Sequence, residues 1–187
     1  MIVWINGAFG SGKTTLVENL HRRLPSALVL DPEDVGQLLR RIVEVPTGNF
    51  QDLPLWRHQV AELAVGLVAE YERPLLVPMT LVDPRYIDEI FGAIDRAGVP
   101  LHHLFLRVPP EELHRRIERR TVVPGDPERD AAVEQWCKAM VEPCTSAVAT
   151  LPARTVLLDG SLPQQRLVDE VLTLLGATSD APARPAT

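Results

Sequence analysis

The residues Gly7-Ala8-Phe9-Gly10-Ser11-Gly12-Lys13-Thr14 fit the spacing G-x-x-x-x-G-K-[ST]. That spacing serves one chemical need, the holding of a polyphosphate. Glycines let successive backbone N–H groups curl round an anion, and the start of the following helix adds partial positive charge. Lys13 would reach the β- and γ-phosphates of a nucleoside triphosphate, and the Thr14 hydroxyl would ligate Mg²⁺. The expected nucleotide-binding set is Gly7, Ala8, Phe9, Gly10, Ser11, Gly12, Lys13, Thr14 and Thr15, with ATP and Mg²⁺ as its occupants. The chain has only two lysines, Lys13 and Lys138, against seventeen arginines, so the loop uses a compact ammonium selectively.

A second group is Asp31-Pro32-Glu33. Phosphoryl transfer needs a carboxylate near the acceptor hydroxyl and often another that holds Mg²⁺ through water. Two carboxylates two residues apart can divide those roles, so Asp31 is assigned as base and metal partner and Glu33 as its companion. The plainer alternative is that Asp31 caps a helix and Glu33 favours its positive end. Capping and catalysis are compatible. A third group is Arg115-Arg116-Ile117-Glu118-Arg119-Arg120. Arg116 and Arg120 share a helix face and could close over a triphosphate, stabilising the charge on the transferring group. At least one of Arg116, Arg120 and Arg129 is expected to touch phosphate. Phe50, Trp56 and Arg57 lie where a second substrate would enter, and Thr80 follows a strand near the same place. Trp56 could stack on a base or pack in the core, and Arg57 could bind an anionic or carbonyl group.

The elements that must position these groups follow from apolar periodicity. Ile2-Val3-Trp4-Ile5 is a buried strand, and Thr14 to Leu24 a helix with Leu16, Leu20 and Leu24 on one face. Ala27 to Leu30 is a second strand, Glu33 to about Val43 a helix, and Leu55 to Tyr71 a long helix with Val60, Leu63, Ala64, Leu67 and Val68 as its stripe. Leu75-Leu76-Val77 is a third strand, ended by Pro78, which cannot donate to a ladder. Asp83, Pro84 and Gly98 bound the next helix. His102 to Val108 is a fourth strand, Glu111 to Arg120 and Glu128 to about Ala149 are helices, Val156 to Leu158 is a fifth strand, and Leu162 to Leu175 the last helix. Alternating strands and helices predict an α/β fold with a parallel sheet, its ligands at the carboxyl ends of the strands. One domain is expected over 1–175, with a lid at about 116–130 and a disordered tail over 176–187.

Net charge of −6 argues against a nucleic-acid partner. No apolar run approaches the ~20 residues of a membrane span, and the start of the chain does not read as a signal peptide. Cys137 and Cys144 lack metal-ligand spacing and read as reduced core thiols of a cytoplasmic protein. The expected partner is a small molecule. A Walker-B aspartate is missing where the third strand runs Val77-Pro78-Met79-Thr80, so metal binding falls to Thr14 and Asp31.

Ile2 to Thr14, Leu20-His21-Arg22-Arg23-Leu24, Asp31-Pro32-Glu33, Phe50-Gln51, Pro54-Leu55-Trp56-Arg57, Val77-Pro78-Met79-Thr80, His102-His103 and the pattern Arg116-Ile117-Glu118-Arg119-Arg120 resemble the tunicamycin-resistance ATP-binding protein family. The match covers about residues 1 to 120. It implies a three-layer α/β/α P-loop fold like nucleoside monophosphate kinases, five parallel strands in the order 2-3-1-4-5, ATP binding, and a role in resistance to a lipid-linked uridine antibiotic. The layout is more distantly similar to shikimate kinase and chloramphenicol phosphotransferase, families that place a carboxylate after the second strand. Three functions are compatible with this pattern: a phosphotransferase acting on a nucleoside-type antibiotic, a protein that binds ATP and sequesters the drug, and a housekeeping nucleotide or metabolite kinase.

Overall fold

In the computed structural model, which describes residues 1–176, the run Ile2-Val3-Trp4-Ile5 lies at the centre of a parallel sheet. Strand β1 (Ile2–Gly7) is buried at every position, because both of its faces are covered by helices. It pairs with β3 (Leu75–Pro78) on one side and β4 (Leu101–Arg107) on the other, in registers Ile2↔Leu75 and Ile2↔Leu101. The edges are β2 (Leu28–Val29) beside β3 and β5 (Val156–Asp159) beside β4. The strand order is β2-β3-β1-β4-β5, as expected. The chain crosses β1 between β3 and β4, and the crevice beyond the carboxyl ends at that reversal is where such sheets bind ligands.

Side chains alternate across β1. Ile2 and Trp4 join one core with α3 (Pro54–Tyr71) and α4 (Pro84–Arg96), through Trp56, Val60, Ile87, Ile90 and Phe91. Val3 and Ile5 join the other with α1 (Lys13–Arg23) and α8 (Gln164–Leu174), through Leu16, Leu20, Leu167 and Val171. A third, smaller core sits above the strand ends. There α5 (Pro110–Glu118), α6 (Pro127–Ala139) and α7 (Val141–Ser146) pack Leu113, Ile117, Cys137, Val141 and Cys144 against Ala8. Both cysteines are free and buried.

Several boundaries differ from the sequence reading, each for a local reason. Pro78 stays in β3, opposite Ile5. Leu75 and Met79 donate to the β1 side, so by alternation the nitrogen of Pro78 faces the β2 side, where that strand has already ended. Helix α2 (Pro32–Arg40) stops short of Val43, and Leu38 and Ile42 are exposed while Gly36 and Leu39 face inward. Leu63 on α3 is likewise exposed, and Trp56, Val60, Ala61 and Ala64 carry its buried face. The expected helix from Glu128 to Ala149 is broken after Ala139, because Pro143 cannot donate to the preceding turn; α7 and a short 3₁₀ turn (Ala147–Thr150) follow. The expected tail beyond Gly176 lies outside the described residues.

One buried side chain ties the sheet to the loop that follows β1. Asn6 accepts at Oδ1 from the backbone of Gly7 (2.7 Å) and of Leu81 (3.0 Å). Its Nδ2 donates to Leu81 O (2.6 Å) and faces His103 Nε2 at 3.1 Å. An amide nitrogen can only donate, so Nε2 accepts and the ring proton sits on Nδ1, directed at Thr155 Oγ1 2.9 Å away. Burial lowers the His103 pKa to about 4, which keeps the ring neutral. Asn6→Ala would strand four polar groups in the core. It is expected to lower the unfolding free energy by about 3 kcal/mol, read as an earlier urea midpoint at constant m-value. A loss below about 1 kcal/mol would show that water replaces the amide.

Candidate functional site

The loop from Gly7 to Thr14 leaves β1 and enters α1 through two glycines in left-handed conformation, Gly10 (φ 80°) and Gly12 (φ 96°). A Cβ on Gly10 would also stand 3.1 Å from Ile117, and one on Gly12 3.1 Å from Gln164. Only glycine gives this path without strain. Gly12 is the N-cap of α1, with no side-chain cap and no acidic residue in the first turn. The helices α2, α4 and α6 are capped instead by Asp31, Asp83 and Asp126. The first N–H groups of α1, from Lys13, Thr14 and Thr15, therefore have neither a helical nor a side-chain acceptor at their own terminus. This is the chemistry of an anion cradle.

Lys13 Nζ donates to Gly7 O and Ala8 O, each at 3.0 Å, and lies 5.6 Å from the centre of the Phe9 ring. Desolvation lowers its pKa to about 8, and the Arg120 guanidinium pushes the same way, while Cys144 and Glu33 act against the shift. Thr80 Oγ1 donates to the same Gly7 carbonyl at 2.8 Å.

Across the mouth, Asp31 follows β2 and caps α2, its Oδ1 accepting from Glu33 N at 2.9 Å. Burial raises the pKa of both Asp31 and Glu33; the charge of Lys13 opposes the rise at each, and Arg120 also opposes it at Glu33. The two carboxylates thus face the field of the loop lysine. Trp56 fixes this turn from below, donating its indole N–H to Pro32 O at 3.0 Å.

The arginines divide. Arg116 donates to Glu112 (2.8 Å), Gly160 O (3.1 Å) and Ser11 O (3.4 Å), gripping the back of the loop. Arg120 donates from Nη2 to Cys137 Sγ at 2.9 Å, and its buried Nε has no partner. Arg129 is exposed on α6.

The sequence pattern of the AAA domain family matches residues 2–144. The chain belongs to that family. Among curated proteins, none matches the chain by sequence. By structure, this AAA-domain chain is similar to the tunicamycin resistance protein of Deinococcus radiodurans, at 24% identity and TM-score 0.75 over 97% of this chain and 99% of that one. It is similar also to a gluconokinase from Sinorhizobium meliloti 1021, at 18% identity and TM-score 0.59 over 95% and 93% of the two chains. A shikimate kinase from Bacteroides thetaiotaomicron gives 18% identity and TM-score 0.54 over 94% and 98%. These likenesses give the chain a P-loop kinase-like fold.

Within this AAA domain, the four residues expected to touch a second substrate are engaged with the protein. Trp56 is fully buried and cannot stack on a bound base. Phe50 packs 5.3 Å from it and presses on Gly36, where a Cβ would stand 2.5 Å from the Phe50 ring. The Thr80 hydroxyl is committed to Gly7. Arg57 is buried against Glu89 and the Gln51 carbonyl. Sequence reasoning missed Asn6, Gln51, Glu89 and Cys137. Of these, Asn6 alone carried a local signal, as the one polar residue in a buried apolar strand. Gln51 extends the chain of contacts by donating to Thr80 O at 2.8 Å. Among the described residues, no group of three or more His, Cys, Asp or Glu could hold a metal ion, and no helix is long and apolar enough to cross a membrane.

The two lysines should titrate in opposite directions. Lys138, paired with Glu134 and Glu118, has its pKa raised, while that of Lys13 is about 8. Carbon-13 lysine spectra of the ligand-free protein would show two resolvable curves. A Lys13 midpoint at its ordinary value of about 10.4 would mean that its ammonium is hydrated.

Proposed function

We propose that the chain is an ATP-dependent phosphotransferase that acts on a hydroxyl of a small molecule of the nucleoside-antibiotic type, tunicamycin-like, and so confers resistance. The observation that carries this reading is the pairing of Asp31 and Glu33 with the field of Lys13 across one mouth. The uncapped, acid-free start of α1 and the unpartnered Arg120 Nε fit a bound polyphosphate. The similarity to a tunicamycin resistance protein supports the drug as acceptor.

In this mechanism the N–H groups of Gly12 to Thr15 and the Lys13 ammonium hold the phosphates. Thr14 would hold Mg²⁺, with Asp31 acting on it through water, and the bound ATP supplies the phosphoryl group. Asp31 orients the acceptor hydroxyl and takes its proton; its raised pKa makes it a better base than a solvated aspartate. The backbone N–H of Glu33 holds the Asp31 carboxylate in place, and the Glu33 carboxylate adds a second negative group at the mouth. Residues 116–130 act as a lid within a single domain, and Arg120 moves from the Cys137 thiol to the transferring phosphoryl group, where a guanidinium stabilises spreading charge. Arg116 holds the loop from behind.

A second reading, sequestration of the drug without transfer, draws on the end of β3. Thr80 stands near where a Walker-B carboxylate would hold Mg²⁺, and its hydroxyl is bound to Gly7 O.

Mass spectrometry of tunicamycin incubated with protein, ATP and Mg²⁺ separates these readings. A product heavier by one phosphate, reduced about a hundredfold or more in Asp31→Asn, is expected. Tight ATP-dependent binding without product would establish sequestration, and indifference to the drug would point to another metabolite. ATP affinity should also depend on the Lys13 proton. With a free-state pKa of about 8, which bound phosphate would raise, affinity is level below pH 8. It then weakens towards tenfold per pH unit as binding must take up a proton. Calorimetry in buffers of different ionisation enthalpy reads this uptake, and a flat profile to pH 9.5 would remove Lys13 as the phosphate-binding cation.

A further inference from the structure

Resting on that transferase reading, we propose that the acceptor carries no negative charge, and that the Arg57–Glu89 pair determines this specificity by withholding the cation that carboxylate- and phosphate-bearing acceptors would need. A P-loop transferase with an anionic acceptor needs a cation on the acceptor side that is free to receive it. Here the arginine placed for that task is already neutralised.

Arg57 lies in the first turn of α3, bonded to Gln51 of the turn before it, and the Gln51 side chain in turn reaches the Thr80 carbonyl after β3. Its Nε meets Glu89 Oε2 at 2.5 Å, its Nη2 meets Glu89 Oε1 at 3.5 Å, and its Nη1 donates to Gln51 O at 2.6 Å. One face lies over the Tyr86 ring, 4.2 Å from the centroid. These contacts use three of its five N–H donors, and at 7% exposure the side chain is shielded from an arriving ligand. The Nε contact is a short charge-assisted hydrogen bond, and the Nη2 contact is a long second prong. A substrate anion would have to compete with Glu89 for the guanidinium.

The neighbouring arginines do not replace it. Arg85 is held two-pronged by its own N-cap residue Asp83, at 3.1 and 2.7 Å. Arg40 lies over Phe50 and donates to Gly48 O, at the far end of α2 from Asp31, about 13 Å away by helix rise. What faces the mouth from α2 is a pair of carboxylates. The cations that act on Glu33 are Lys13 and Arg120, both assigned above to the transferred phosphate. An anionic acceptor would meet like charge with no compensating partner, which is an element of discrimination by repulsion.

The test uses the full chain saturated with Mg²⁺ and a non-hydrolysable ATP analogue, so that binding is read apart from chemistry. Calorimetry or ligand-observed NMR then compares matched pairs, uridine with its monophosphate and glucose with gluconate. The neutral member of a pair is expected to bind roughly tenfold or more tightly. Glu89→Gln, which uncovers the charge of Arg57, should narrow that gap. An anionic member that binds as well or better overturns the proposal, as does an equal response within every pair, whether strong or absent. Should Glu89→Gln fail to fold by circular dichroism, the wild-type pairs decide the matter alone. Neutral preference without phosphorylated product when ATP replaces the analogue would sink the transferase reading and leave the charge rule standing.

Discussion

The carbonyl oxygen of Gly7 receives two donors, the ammonium of Lys13 and the hydroxyl of Thr80. Much of the site depends on this one acceptor. It lies where β1 ends and the loop begins, with the peptide nitrogen of the same residue held by Asn6. Through Thr80 it fixes the end of β3, and through Gln51 that end fixes the entrance to α3. Through Lys13 it holds the loop closed on itself. Carbonyl dipoles are weaker partners for an ammonium than an anion is, so the half-buried lysine is under-compensated and its proton is held loosely. The ligand-free loop is thus formed in advance but electrostatically incomplete.

How much of this was legible in sequence depends on the distance along the chain over which a group finds its partner. The loop glycines, the caps at Asp31 and Asp83, and the alternation of strands and helices are local, and could be read directly. Pro143 was also a local signal, but the sequence reading carried one helix past it to Ala149, and the structure breaks that helix after Ala139. The committed partners were not local. Arg57 looked available because Glu89 lies thirty-two residues away, and Thr80 looked free because Gly7 lies seventy-three residues away. Trp56 gave no sign that its indole would hold the Pro32 carbonyl. Residue types announced polar chemistry near the mouth, but only the packed structure distinguishes groups offered to a ligand from groups engaged in holding the walls.

The third core explains why the loop and the arginine helix behave as one assembly. Ala8 of the loop is part of that core, and Phe9 packs edge-on against Trp136 of α6 with ring centroids 4.7 Å apart. A shift of α5 or α6 therefore reaches the loop through direct contact. The thiol of Cys137 is a weak acceptor for a guanidinium, and burial keeps it protonated. Arg120 is thus held by a partner weaker than a carboxylate.

The two edges of the sheet differ in a way that bears on how copies of the chain could meet. An edge strand exposes unpaired backbone groups that can template another strand. On one side β2 is only two residues long, too short to zip up with a neighbour. On the other, β5 is twice that length and leaves Val156 and Leu157 exposed, just after the Arg154–Asp95 ion pair. Self-association by strand addition is therefore confined to the β5 side, with a charged pair posted at its entrance. That edge lies on the opposite side of the sheet from β2 and the acidic mouth.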